Sequence, residues 1–312
     1  MTTSTYIAFD VSKDTLQLQG PDAGATGQIA NTATIVLSTL KRLHRLHPGL
    51  HVICEPTGGY ERLLVQGAHA LGLPVTMVDA FKARHFALGL GWLEKNDRLD
   101  AALLRRYALA AEPAPTPPPS PEHAQLRDWV QLREHYVQRL SMEQTFGQTL
   151  GRPQLQTRVL EECARLEVLI AELDTEIAAF LETQAPALQD KVQTLCLVSG
   201  IGLRVATGLL AHLPELGTFS DRAIAKLAGL APIVDDSGTR VGHKHIARGR
   251  APARRILYQA ALVAAQHNEY LRPFYQRLRA AGKPAKVALI AVARKLLVFL
   301  NSLLKPAFLQ PV

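Results

Sequence analysis

Over the first eighty residues the apolar positions fall into short runs, and several of these runs end in an acid. Residues 5–10 are apolar up to Asp10, and residues 15–19, Thr-Leu-Gln-Leu-Gln, alternate with period two. The polar triplet Ser12-Lys13-Asp14 between them predicts a hairpin turn. Residues 26–31 supply a third strand. Residues 34–47 carry leucines at helical spacing with a basic outer face. His-Val-Ile-Cys-Glu at 51–55 is a β-branched run closed by Glu55. Pro56-Thr57-Gly58-Gly59 breaks it, and a helix follows to about Leu71. Residues 74–79 form a fifth strand, again ending in an acid. The order β-β-β-α-β-α-β-α is that of an α/β sheet with an N-terminal antiparallel hairpin.

Periodicity then changes. Residues 112–123, Glu-Pro-Ala-Pro-Thr-Pro-Pro-Pro-Ser-Pro-Glu-His, hold too many prolines for a helix and predict an extended spacer between domains. Beyond it, Val159, Cys163, Leu166, Ile170, Leu173, Ile177 and Phe180 repeat at alternating four- and three-residue steps. That seam suits a helical hairpin, an intermolecular coiled coil, or one face of a bundle. Gly151-Arg152-Pro153 divides the region into two helices. Residues 191–312 read as mostly helical with one irregular patch at 231–250. Within them Gly200 and Gly202 separate two apolar runs, as in a helix-hairpin-helix that offers backbone N–H groups to a phosphate; a plain packing turn is the alternative. The predicted layout is 1–111, a spacer at 112–123, a helical region at 124–190, and a C-terminal domain at 191–312.

Charge sharpens the division. The chain has 312 residues and a formal net charge of +8. Residues 238–312 hold 14 Lys+Arg and one acid, Glu269, whereas the remainder holds 21 basic and 26 acidic residues. A basic half joined to an acidic half suggests that the tail meets a polyanion. Arg240, Lys244, Arg248, Arg250, Arg254 and Arg255 are its densest cluster, and guanidinium forks suit phosphate oxygens. The three cysteines are far apart and odd in number, which argues against a disulfide framework and for a reducing, cytoplasmic compartment. The N-terminus lacks a basic n-region, and the apolar stretch 286–304 is interrupted by Arg294 and Lys295, so neither a leader nor a membrane span is expected.

The candidate chemistry lies in the acids. Asp10 and Glu55 end strands, and Asp97 and Asp100 stand three apart where a helix begins. Residues three apart on a helix share a face. Ligands gather at the carboxyl ends of strands in open α/β sheets. Four carboxylates brought there would repel one another or take up protons unless a cation joined them, and hard oxygen donors suit magnesium. Taken singly, each acid also reads as a turn, cap or surface residue. Asp14 and Asp79 read as turn residues. Ser237, between Asp236 and Gly238, reads from its surroundings as a turn serine, and Tyr258 as a packing residue.

These residues resemble a known family. Ile-Ala-Phe-Asp-Val-Ser-Lys-Asp-Thr-Leu (7–16), Cys-Glu-Pro-Thr-Gly-Gly-Tyr-Glu (54–61), Lys-Asn-Asp-Arg-Leu-Asp-Ala (95–101), Val-Ser-Gly-Ile-Gly (198–202), Leu-Ala-Gly-Leu-Ala-Pro (227–232) and Asp-Ser-Gly (236–238) followed by a basic helix run in family order. They look like the insertion-sequence transposases of family one hundred and ten, with Piv-type DNA invertases as relatives. The resemblance implies an RNase H-like (RuvC-like) N-terminal domain of Asp-Glu-Asp-Asp type and a mostly α-helical C-terminal transposase domain. It implies Mg2+ on Asp10, Glu55, Asp97 and Asp100, and Ser237 as the nucleophile. It further implies double-stranded DNA as substrate, a bridge RNA as guide, and a homo-oligomer whose acidic site and serine come from different subunits. Asn96, Asp236 and Arg250 depart from the family's usual residues without removing a ligand. The expected function is a transposase or recombinase that cuts and rejoins DNA through a serine–phosphate link. The alternatives are a RuvC-like nuclease using water, a Piv-like invertase, and a nucleic-acid-binding protein with a decayed site.

Overall fold

The computed structural model describes residues 4–92, 97–233 and 245–305, with the side chains of 97–99 outside that description. It divides into two compact units, 1–118 and 119–312.

In the first unit, β1 (Thr5–Val11), β2 (Thr15–Gln19), β3 (Gly27–Ala30), β4 (Leu50–Cys54) and β5 (Val75–Met77) form one sheet in the order β3-β2-β1-β4-β5. β2 is antiparallel to β1 and β3, while β4 runs parallel to β1 and β5. The expected hairpin is present: Ser12 Oγ donates to the Thr15 carbonyl at 2.8 Å, and the Ser12 amide donates to the same oxygen at 2.9 Å. The helices are α1 (Ala33–Leu46), α2 (Arg62–Ala70), α3 (Ala80–Gly89) and α4 (Asp97–Ala111). β1 is nearly continuous in apolar residues because both of its faces are covered. Ile7, Phe9 and Val11 pack with Val36, Leu40 and Leu64 from α1 and α2. Tyr6 and Ala8 pack on the opposite face with Ile53 and with Leu104 and Ala108 of α4. This is an α/β nuclease-like sheet.

The proline-rich stretch is less of a free spacer than its composition suggests. The Thr116 amide donates to the Val75 carbonyl at 2.7 Å, and Thr116 Oγ1 accepts from the Met77 amide at 3.2 Å, so part of it lies along β5. Pro121 opens the next helix, since proline at a first helical position gives up no intrahelical bond, and Ser120 caps that helix.

The second unit holds α5 (Pro121–Thr149), α6 (Pro153–Gln184), α7 (Pro186–Cys196), α8 (Leu203–His212), α9 (Asp221–Leu227), α10 (Ala251–His267), α11 (Leu271–Ala280) and α12 (Ala285–Leu303). A small antiparallel ribbon, β6 (Pro232–Ile233) and β7 (His245–Ile246), interrupts them. The heptad seam is the inner face of an α5–α6 hairpin: Cys163, Leu166, Ile170, Leu173, Ile177 and Phe180 are buried, and Val159 is half-buried. Leu126, Val130, Ile177 and Phe180 share one core with Leu209, Leu257 and Leu296. The region expected at 124–190 is therefore packed into the C-terminal domain rather than standing apart. No helix among the described residues is long and apolar enough to cross a membrane.

Candidate active site

The first two acids lie at the same end of two neighbouring parallel strands. Ala8 pairs with Ile53 and Phe9 with Cys54 across parallel β1 and β4. Asp10 and Glu55 each follow the last of these pairs along their own chains. Side chains alternate along a strand, so Asp10 shares the face of Ala8, which is the face covered by α4. Helix α4 packs on β1: Leu104 and Ala108 share a cluster with Tyr6 and Ala8, and Arg105 Nε donates to the Tyr6 carbonyl at 3.2 Å. Asp100 precedes Leu104 by four residues and falls on the same stripe.

Among the described residues, no group of three or more His, Cys, Asp or Glu side chains could hold a metal ion. Asp10, Glu55 and Asp100 therefore do not make a cage by themselves, and the side chain of Asp97 lies outside the described residues. Asp10, Glu55, Asp97 and Asp100 would each offer carboxylate oxygens, a chemistry that fits a hard divalent cation.

The loop after Glu55 is tightly built. Gly58 and Gly59 adopt φ of 82° and 133°, a region that side chains resist. Glu61 Oε2 accepts from the Thr57 amide at 3.1 Å, Thr57 Oγ1 at 2.8 Å and the Gly59 amide at 2.8 Å. Burial pushes the Glu61 carboxyl up, but these hydrogen bonds outweigh it and leave its pKa below the ordinary value. Asn31 Nδ2 donates to the Ser12 carbonyl at 2.9 Å and to the Tyr60 carbonyl at 3.0 Å, tying the β1–β2 turn to this loop. Sequence reasoning missed both residues; Glu61 four positions after Thr57 was the available signal. Beneath the loop, burial and then the charges of Glu61 and Glu55 push the Cys54 thiol up to about 12, so it stays protonated. Asp79, read from sequence as a turn residue, caps α3 through the Phe81 amide at 2.8 Å.

In the second unit the glycine turn is a helix–turn–helix of α7 and α8. Gly200 sits at φ 95°, and the Ser199 carbonyl accepts from Asn268 Nδ2 at 3.3 Å. Ser237, Arg240 and Lys244 lie outside the described residues; in sequence, β6 and β7 flank the segment 234–244 that carries them. Further along the chain, residues 249–250 are held by close packing. A Cβ on Gly249 would stand 2.2 Å from the Gly229 amide nitrogen, and the Arg250 amide donates to the Leu227 carbonyl at 2.8 Å.

Arg248 and Arg255 are exposed and Arg254 is half-buried, with one Nη1 donating to the Arg248 carbonyl. Arg250 departs from the expected phosphate-facing role. Its guanidinium makes a bidentate pair with Glu215 at 2.6 and 2.7 Å, and Nη1 also donates to the His212 carbonyl at 2.8 Å. An acid distant in sequence but adjacent in space has taken the fork that the local basic run appeared to offer to phosphate.

Residues 192–276 match the family model described as the Transposase IS116/IS110/IS902 family, and residues 7–147 match the DEDD transposase model of IS110. The pilin gene-inverting protein of Moraxella lacunata is 27% identical over 303 residues, covering 94% of this chain and 93% of that protein. Its namesake in Moraxella bovis aligns equally. An uncharacterized 43.6 kDa protein of insertion element IS110 from Streptomyces coelicolor is 29% identical over 161 residues, 48% of this chain and 40% of that protein.

Proposed function

Because the chain belongs to the IS116/IS110/IS902 family of transposases and is a DNA transposase or recombinase, we propose that it exchanges DNA strands through a covalent link to Ser237. The observation that supports this reading is the parallel pairing of β1 on β4, whose last pair, Phe9 with Cys54, is followed on each chain by an acid, Asp10 and Glu55. Asp10, Glu55, Asp97 and Asp100 would hold Mg2+. A divalent ion there supplies charge neutralisation at a scissile phosphate.

The protein's own part is positioning and nucleophilic attack. Ser237 Oγ forms a bond to phosphorus as the bond from phosphorus to a deoxyribose oxygen breaks. The serine proton passes to solvent, and the departing sugar oxygen takes one up. Reversal against a different strand end rejoins DNA without ATP, since the phosphodiester's energy is kept in the serine ester. The site and the serine come from different subunits of an oligomer, and a bridge RNA selects the DNA. The basic C-terminal stretch supports a polyanion partner of this kind.

The test uses the full chain with DNA carrying candidate sites and the element's own non-coding transcript. The parent is expected to give a protein–DNA adduct that survives denaturation and requires Mg2+. Ser237→Ala removes the adduct and the recombinant, and Asp10→Ala removes both as well. Cutting by Ser237→Ala at the parent's rate, with no adduct in the parent, identifies a RuvC-like nuclease that uses water. Undiminished recombination without RNA removes the guide from the mechanism. A second reading, inversion of a segment between two sites, is favoured by the full-length alignment to the pilin gene-inverting proteins. Plasmids bearing inverted site pairs, read by restriction pattern, separate inversion from insertion.

A further inference from the structure

Between α11, α12 and the β6–β7 ribbon lies a cavity of about 720 Å³. Its floor is apolar, with Ile246, Phe274, Ile290 and Val298. Lys286, Arg294 and Lys295 stand at its rim, and none of its described lining side chains is acidic. Val287, also lining it, is 52% exposed. The surrounding stretch adds Arg272, Arg277, Arg279 and Lys283, and no Asp or Glu occurs after Glu269. Lys295 Nζ stands 4.7 Å and the Arg277 guanidinium carbon 5.4 Å from the centre of the Phe274 ring, so this aromatic floor is bracketed by cations.

Two demands narrow the occupant. The floor requires flat or apolar groups, and the rim requires several negative charges along its length. An apolar protein segment would meet the first demand and leave the cations uncompensated. Duplex DNA meets the second but keeps its bases stacked within the helix. An unpaired strand meets both, by offering base faces to aromatic and aliphatic side chains and phosphates to a basic edge. The volume lies within the roughly 300–1,000 Å³ of pockets that enclose small organic ligands, which admits a nucleotide.

We propose that this groove holds an unpaired segment of DNA strand, with bases against Phe274 and Val287 and phosphates along Lys286, Arg294 and Lys295. One wall is formed by Pro232, His245 and Ile246 of the ribbon that flanks, in sequence, the segment bearing Ser237. The proposal thus deepens the serine reading, on which it rests for this link, by placing an unwound strand against the ribbon whose two strands flank, in sequence, the segment that would attack DNA.

The test is fluorescence anisotropy of the full chain with three short labelled probes of one sequence: single-stranded DNA, duplex DNA and single-stranded RNA. Val287→Asp puts a carboxylate on an exposed position of the groove. It is expected to weaken single-stranded DNA binding by at least about tenfold while duplex affinity stays within about twofold. Val287→Phe, with larger apolar surface and no charge, is expected to keep or tighten single-strand binding. Lys286→Ala is expected to lower the slope of log affinity against log salt for the single strand by about 0.7. Thermal melting of each variant at the parent's temperature excludes misfolding as the cause.

Equal losses for single strand and duplex overturn the proposal, as does parental single-strand affinity in well-folded Val287→Asp. RNA binding that is tighter than DNA binding, and equally sensitive to Val287→Asp, overturns the assignment to DNA. Ser237→Ala keeps single-strand affinity under this proposal. An absent adduct in the parent with the groove variants behaving as expected defeats the serine reading alone, and a serine adduct with unresponsive groove variants defeats the groove alone.

Discussion

Glu61 shows how one side chain shapes the loop that follows Glu55. It accepts hydrogen bonds from Thr57 and Gly59 within a loop that its own sequence neighbours form. Replacing the ionised acceptor in Glu61→Gln is expected to cost about 2 kcal/mol, read as a lower denaturation midpoint. The pH dependence has a definite sign. The folded pKa lies below the ordinary value of 4.5. Its contribution is therefore complete above that value and is lost as pH falls through the lowered folded pKa. Stability of Glu61→Gln and of the parent should converge in acid; a difference that grows with falling pH would contradict this account. Asn301 is the counterpart in the helical unit. It is fully buried, accepts from the Gly217 amide at 2.9 Å, and donates to the Phe219 carbonyl at 3.0 Å and Asp221 Oδ1 at 2.9 Å. Asn301→Leu strands a buried donor and acceptor and is expected to lose about 3 kcal/mol, measured by chemical denaturation. The sequence marks Asn301 only as a polar residue in an apolar helix, because its partners lie some eighty residues away.

At the scale of elements, strand period and turn chemistry were legible early. The five strands, the Ser12-Lys13-Asp14 turn and α1 and α2 follow from alternation and from glycine and proline breaks. What the pattern did not give is which acids share a face. Asp10 and Glu55 fall at the same end of β1 and β4 because these strands are parallel neighbours in a register set by packing on both sides. The Arg250 role was hidden for a similar reason, since a run of basic residues looks uniform until Glu215 is brought beside one of them. Arg250→Ala should free that acid and loosen the start of α10. Arg250→Lys keeps the charge but loses the fork, so it should recover only part of the lost thermal stability; full recovery would show that bidentate geometry is unimportant here. The junction of Gly229 and Gly249 is stricter. Both have φ near 68°, and a methyl on either would overlap backbone atoms. Gly249→Ala is expected to cost about 3 kcal/mol from strain and overpacking together, with a clear fall in melting temperature as the readout.

The whole molecule has separate cores. One, in 119–312, joins α5 and α6 to the later helices, and two others lie on the faces of the β-sheet in 1–118. Calorimetry should resolve two transitions, with Asn301→Leu lowering one and Glu61→Gln the other. A single transition moved by both variants would mean that the units unfold together. Charge is also a property at this scale: with the basic residues concentrated in 238–312, nucleic-acid affinity should fall steeply with salt as counterions are displaced, and a flat response would contradict a phosphate-binding surface there.

The chain's own order of residues determined the α/β start, the helical remainder, the charge division and the identity of the candidate acids, because strand alternation, helical spacing and proline breaks are local. Tertiary structure alone decided that the α5–α6 seam closes within this chain, that Glu215 occupies Arg250, and that β1 and β4 pair in parallel up to Phe9 and Cys54. Those outcomes depend on contacts between residues distant along the chain, which form when apolar faces find one another, and no local window of sequence records which faces will meet.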